Sequence, residues 1–214
     1  MISRRFLAPT LAAFLAVPSS ALAQVGPLVE AFVGSGSKTA YLVLDFQSSA
    51  YTFGYRYDGV NVPAGDMIAA VDTALSSFAV DMPGDRNSGF GRFINGFGYG
   101  PNTLGSFTAN FNTPPYFGWN YFVSTSSLTT VPPTWTESIW GVDGRDSSSP
   151  AGTFQSLDTH VWHGFSWGQY DTNTFAFLGA PPRVAATSSA PEPGTLVLLV
   201  IGTASLPLVR RKRT

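Results

Sequence analysis

No cysteine occurs in the 214-residue chain, so an oxidising compartment would add no disulfide, and folding has to rest on packing and hydrogen bonds. Charge is sparse: Asp, Glu, Lys and Arg together make up 12% of the residues. Lysine appears only at Lys38 and Lys212, and glutamate only at Glu30, Glu137 and Glu192. A sequence this poor in Lys and Glu favours strands joined by turns over long solvated helices. Residues 24–187 carry six cations against twelve acids, a net of −6 with no basic cluster, which argues against a nucleic-acid partner. No repeat of 20–50 residues is present, so solenoids and propellers are excluded. With two histidines, no Gly-x-Ser-x-Gly elbow and no glycine-rich loop opening a helix, nucleophilic catalysis and phosphate cradling find no footing.

The two ends differ from the middle. Residues 1–23 combine Arg4 and Arg5, an apolar stretch over 6–17, and the small-residue triplet Ala21-Leu22-Ala23. These are the three parts of a secretory signal peptide, with cleavage expected between Ala23 and Gln24. The opposite end carries Pro191, Glu192 and Pro193, a 16-residue apolar segment over 194–209, and the cations Arg210, Arg211, Lys212 and Arg213. As a helix that segment spans about 24 Å, somewhat less than a hydrocarbon core of about 30 Å. The basic cluster would keep the end of the chain cytoplasmic and leave everything upstream outside. A small-residue linker over 187–191 joins it to the middle. A Pro-Glu-Pro triplet, a short apolar helix and a basic terminus together resemble the PEP-CTERM sorting signal of exported proteins in Gram-negative bacteria that also make exopolysaccharide. The resemblance implies a signal over 188–214 and a membrane-embedded cysteine peptidase, an exosortase, as processing partner. Delivery to the cell surface or extracellular matrix would follow.

Between the ends the pattern is that of strands. Residues 39–46 form an apolar run closed by polar residues, and 51–57 alternate with Tyr51, Phe53, Tyr55 and Tyr57 on one face; the two are expected to form a hairpin with an aromatic face. One helix follows: Asp66 is read as its N-cap, with Met67, Ile68, Val71, Leu75 and Phe78 along one side and Pro83-Gly84 as its stop. Further strands are expected over 90–97, 117–123 (Phe117, Trp119, Tyr121 and Val123 sharing a face), 135–143, 161–167 and 174–178. The fold class is therefore mostly β, or α+β: a single antiparallel-sheet domain over 24–187 with one packed helix, followed by the C-terminal hydrophobic helix.

The helix over 67–75, Ile94-Asn95-Gly96, Trp119-Asn120-Tyr121 and the stretch 158–162 also resemble the small C-terminal domain of cobalamin-carrier proteins and its bacterial relatives, domain of unknown function 4430. The segment from Val123 to Asp158 is much longer than in that family. The resemblance implies the α+β architecture without assigning cobalamin, and no cofactor is expected.

Chemistry is concentrated in few places. Asp158, His160 and His163 form the one acid-and-histidine cluster; on a strand, positions 160 and 163 face opposite sides, so the spacing fits a metal only on a helical turn or sharp bulge. Asp81, Asp85 and Asn87, and Asp143 with Asp146, have oxygen ligands that suit calcium, although turn chemistry accounts for them equally. The real excess is aromatic. Trp119, Tyr121, Trp135, Trp140, Trp162 and Trp167 either build a core short of aliphatic residues or present a surface on which sugars stack. The expectation is a structural or binding protein without catalysis or metal. A carbohydrate-binding module using exposed aromatics is the alternative, followed by a metal-dependent or carboxylate-based hydrolase.

Overall fold

The structure is a computed structural model that describes residues 27–85, 91–138, 142–143 and 156–184, all within the unit Val25–Ser188. Among the described residues eight strands form: β1 (Ala31–Gly34), β2 (Lys38–Asp45), β3 (Ala50–Tyr57), β4 (Phe78–Asp81), β5 (Gly96–Tyr99), β6 (Tyr116–Ser124), β7 (Thr136–Glu137) and β8 (Trp162–Tyr170). The helix α1 (Ala64–Ala74) lies between β3 and β4, and a 3-10 turn, Leu104–Phe107, between β5 and β6. Six strands make one sheet in the order β1-β3-β2-β8-β6-β7, while β4 and β5 make a separate pair. This is the mostly β, one-helix class expected from the sequence.

The β2–β3 hairpin forms with Leu42 opposite Phe53 and Ala40 opposite Tyr55. Within the sheet β2–β3, β6–β8 and β6–β7 are antiparallel, but β1–β3 and β2–β8 are parallel, so the sheet is mixed. The long excursion between β2 and β8 permits this, since a parallel pair needs a crossover and not a hairpin.

One face packs under α1 and the β4–β5 pair. Leu42, Leu44, Phe53, Trp119, Tyr121 and Phe165 meet Met67, Ile68, Val71 and Phe97 there, and each fully buried large side chain contributes roughly 1.5–3 kcal/mol. The rings meet edge to face: Phe46 on Trp119 at 5.0 Å and Phe97 on Trp119 at 5.1 Å, worth about 0.5–1.5 kcal/mol a pair beyond the area buried. The other face has a smaller cluster of Tyr41, Val43 and Trp162, flanked by Trp135, Leu128 and Val131.

Glycines in the sheet make room for rings on that second face. A Cβ at Gly164 would lie 2.7 Å from Trp135 and 2.8 Å from Pro182. Trp135 is held in place by its indole N–H, which donates to the Pro182 carbonyl at 2.9 Å. Gly164→Ala is therefore expected to cost about 1–3 kcal/mol through overpacking, read as a lower midpoint in urea. An unchanged midpoint would mean that Trp135 swings aside freely.

Several boundaries differ from expectation. The helix is capped at Pro63 and not Asp66, which sits in its first turn where a carboxylate complements the exposed N–H groups. It ends at Ala74 with Leu75 as C-cap, well before Pro83, because Phe78 belongs to β4 and pairs opposite Tyr99. Among the described residues, the strand expected over 90–97 is instead Gly96–Tyr99, that over 135–143 is present at Thr136–Glu137, and 174–178 makes a single bridge, Phe177 to Tyr170. Among the described residues no helix is long and apolar enough to cross a membrane. The signal segment, cleavage residues Ala23 and Gln24, Pro191, Glu192 and Pro193, the apolar helix 194–209 and the basic tail all lie outside the described residues.

Candidate functional site

The acid-and-histidine cluster does not converge. Asp158 turns toward the β2–β3 side, where its carboxylate accepts from Lys38 Nζ at 2.7 Å, the Asn61 backbone N–H at 2.6 Å and Tyr57 Oη at 3.5 Å. Burial and the neighbouring Asp158 push the Tyr57 hydroxyl up to about 12. His160 ends the turn before β8, with its N–H donating to the Ser156 carbonyl at 3.0 Å. His163 is fully buried on the helix-facing side of β8.

Its tautomer follows from its neighbours. His163 Nε2 lies 2.8 Å from the His160 carbonyl, which can only accept, so Nε2 carries the proton. Nδ1 then accepts from the Tyr121 hydroxyl at 2.6 Å. Burial, with His160 adding a smaller electrostatic effect, pushes His163 down to about 3 and holds it neutral. The Tyr121 hydroxyl is raised by burial and secondarily by the charge of Asp143. Both ring nitrogens of His163 are thus committed inside the protein. Among the described residues no group of three or more His, Cys, Asp or Glu side chains is placed to hold a metal ion. Asp143 is instead the partner of Arg92, which reaches it through Nε and through Nη2 at 2.9 Å. Asn87 and Asp146 lie outside the described residues.

The aromatic candidates separate by depth. Trp119, Tyr121 and Trp162 are core residues at 7%, 6% and 0% exposure; they cannot offer a sugar a ring face, which corrects the reading of these three as ligand residues. Trp140 lies outside the described residues. Trp135 and Trp167 are half-buried and sit on opposite sides of the sheet, Trp135 over Gly164 and Trp167 against Trp119 and Phe107. No aligned row of exposed tryptophans exists among the described residues.

Trp167 opens instead into a cleft. β2 ends at Asp45, opposite Ser166, and farther along β8 the 177–178 segment takes over, with Leu178 N–H donating to the Gln169 carbonyl at 2.9 Å. Where one neighbour gives way to the other lies a space of about 210 Å³, lined by Asp45, Gln47, Ser166, Trp167, Arg183 and the 179–181 segment. One wall is a charged staple. Arg183 donates to Asp45 from its backbone N–H at 2.9 Å, from Nε at 2.8 Å and from Nη2 at 2.6 Å, and also to the Gln47 carbonyl. Asp45 accepts in addition the Gln47 N–H at 2.9 Å. Four donors on one carboxylate use up its lone-pair directions, so Asp45 fixes the wall and has little left for a ligand. The pairing raises the Arg183 guanidinium further above its ordinary value.

Gln47 is the unusual residue. It lies in the tight loop closing β2 to β3, at φ 68°, a left-handed conformation that costs a residue with a Cβ about 1–2 kcal/mol. That backbone turns its carbonyl to Arg183, yet the side chain is exposed and makes no hydrogen bond among the described residues. Composition pointed to Trp167; nothing local in the sequence marks Asp45, Gln47 or Arg183. No family model matches the chain, and neither a curated protein nor a solved structure matches it.

Proposed function

We propose that this is an exported protein, held for a time at the inner membrane by a C-terminal helix over 194–209. Sorting at Pro191, Glu192 and Pro193 by an exosortase would then deliver it to the cell surface or extracellular polysaccharide matrix, where its role is structural or binding. Signal peptidase would cut between Ala23 and Gln24. The observation that carries the sorting half is the pairing of two oppositely organised ends in one chain, a cationic-apolar-small leader and a Pro-Glu-Pro, apolar, basic tail. What favours binding over catalysis is how the reactive groups are used. His163 spends both nitrogens on Tyr121 and the His160 carbonyl, while Asp45, Asp143 and Asp158 are each bound to a cation. Groups so engaged are poor general acids or bases.

The test is the intact mass of the protein recovered separately from membranes and from culture medium. The expected result is a released form lacking both residues 1–23 and the residues beyond the Pro-Glu-Pro triplet. A membrane-bound form that retains Arg210 to Thr214 as the end product would overturn sorting and leave a tail-anchored protein.

A further inference from the structure

We infer that the cleft beside Trp167 is a subsite for one neutral pyranose unit of a glycan, with the indole of Trp167 as its apolar floor and the carboxamide of Gln47 as its polar contact. The inference deepens the binding half of the proposed function and rests on it.

Three features of the cleft converge. Its volume of about 210 Å³ is below the range of pockets that enclose drug-sized ligands, which begins at about 300 Å³, so it suits a single ring of a longer molecule that continues into solvent. Its lining includes the half-buried Trp167, whose indole packs edge-on against Phe107 at 5.5 Å and Trp119 at 5.5 Å and lies nearly parallel to Phe117 at 6.2 Å. A ring held this firmly offers a fixed apolar plane, which matches the axial C–H face of a pyranose.

The polar side is set by how charge is disposed. Asp45 and Arg183 neutralise each other, and the surrounding chain from 24 to 187 has a net charge of −6. An anionic sugar would meet repulsion with only an already paired guanidinium to offset it. Neutral donors and acceptors remain, the Gln47 carboxamide foremost. Its backbone strain strengthens the case. The left-handed conformation serves the carbonyl bond to Arg183, and glycine would supply that conformation without cost. Gln47 lines the cleft and has an exposed side chain that bonds no described residue, and a glutamine kept there is strain retained for a side chain that contacts something else.

The experiment is saturation-transfer NMR on the full chain with methyl β-glucopyranoside, methyl α-mannopyranoside, methyl β-galactopyranoside and methyl β-glucuronide as probes. At least one neutral pyranoside is expected to receive saturation, and the glucuronide to bind more weakly than that one. Two variants read the site. Gln47→Gly removes the amide and relieves the backbone, so it is expected to weaken binding about tenfold, the size of one lost hydrogen bond, while its melting temperature holds or rises. Trp167→Phe keeps the aromatic packing, shrinks the floor, and is expected to weaken binding as well. Absence of transfer to every neutral pyranoside, tighter binding of the glucuronide, or unchanged binding in both variants would each overturn the subsite. None of these results depends on where the protein is delivered, so a failed subsite would leave the sorting proposal standing, and an unprocessed tail would leave the subsite standing.

Discussion

Acidification below pH 6.5 is expected to destabilise the domain at up to about 1.4 kcal/mol per pH unit, with His163 as the main cause. The folded protein holds this imidazole neutral, with its pKa pushed from 6.5 down to about 3, whereas the unfolded chain protonates it normally. Between those two values the unfolded state binds more protons than the folded one, so stability rises with pH. It is complete above 6.5 and is lost progressively as pH falls toward 3. By pH 4.5 the loss amounts to roughly 2–3 kcal/mol. The carboxylates act in a different window. Asp58, Asp158 and Asp171 are lowered from 3.8 in the folded state, so what they contribute persists above 3.8 and disappears only below it. Urea denaturation at a series of pH values down to 4.5 isolates the histidine. In His163→Gln the carboxamide can still accept from Tyr121 and donate to the His160 carbonyl, and the slope over that range is expected to flatten. A slope that survives the substitution would assign it to His160 or to another group.

Removing Arg92 is expected to be the most damaging single change to a polar residue. Its guanidinium bonds both oxygens of Asp143, whose side chain is only 2% exposed, and lies 3.5 Å from Asp66 in the first turn of α1. The start of the helix closes over the pair: a Cβ on Gly65 would strike both Arg92 Nη2 and Asp143 Oδ1. In Arg92→Met the carboxylate stays buried without its cation, a loss of about 3–5 kcal/mol. Arg92→Lys keeps the charge but not the two-pronged geometry and is expected to fall between. Arg92→Met/Asp143→Leu is expected to cost less than Arg92→Met alone, since no stranded charge remains. Urea unfolding of the set decides it; a single-variant loss below about 1 kcal/mol would show that water reaches Asp143 and solvates it.

The strands that carry the sheet were readable because alternation is a local property. Tyr51, Phe53, Tyr55 and Tyr57 share a face in the chain and in the fold, as do Trp119, Tyr121 and Val123. Direction of pairing is not local, and nothing in residues 38–45 announces that their second neighbour is β8, running parallel. The end of α1 was misread because Leu75 and Phe78 preserve helical spacing by coincidence. Both face the core, one from the C-cap and one from β4. β1 is four residues long beside a Gly-Ser-Gly-Ser run and has too little pattern to detect. The cleft was half visible. Tryptophans stood out by number, but residue type does not say which are buried, and Trp162 turned out to be core while Trp167 opened outward. Asp45 and Arg183 are 138 positions apart and meet only because the sheet register sets Asp45 opposite Ser166.

The place of β8 in the sheet bears on when the domain can fold. It is the last strand among the described residues and lies near the middle of the sheet, between β2 and β6. Until residues 162–170 are present, the β1-β3-β2 set and the β6-β7 pair have no common neighbour. A growing chain therefore cannot close its core early, and the contacts that complete it are among the longest in sequence, which makes closure slow. Under the export proposed above, in which the chain would cross a membrane unfolded, a keystone strand delivered late would delay compaction until most of the domain has passed.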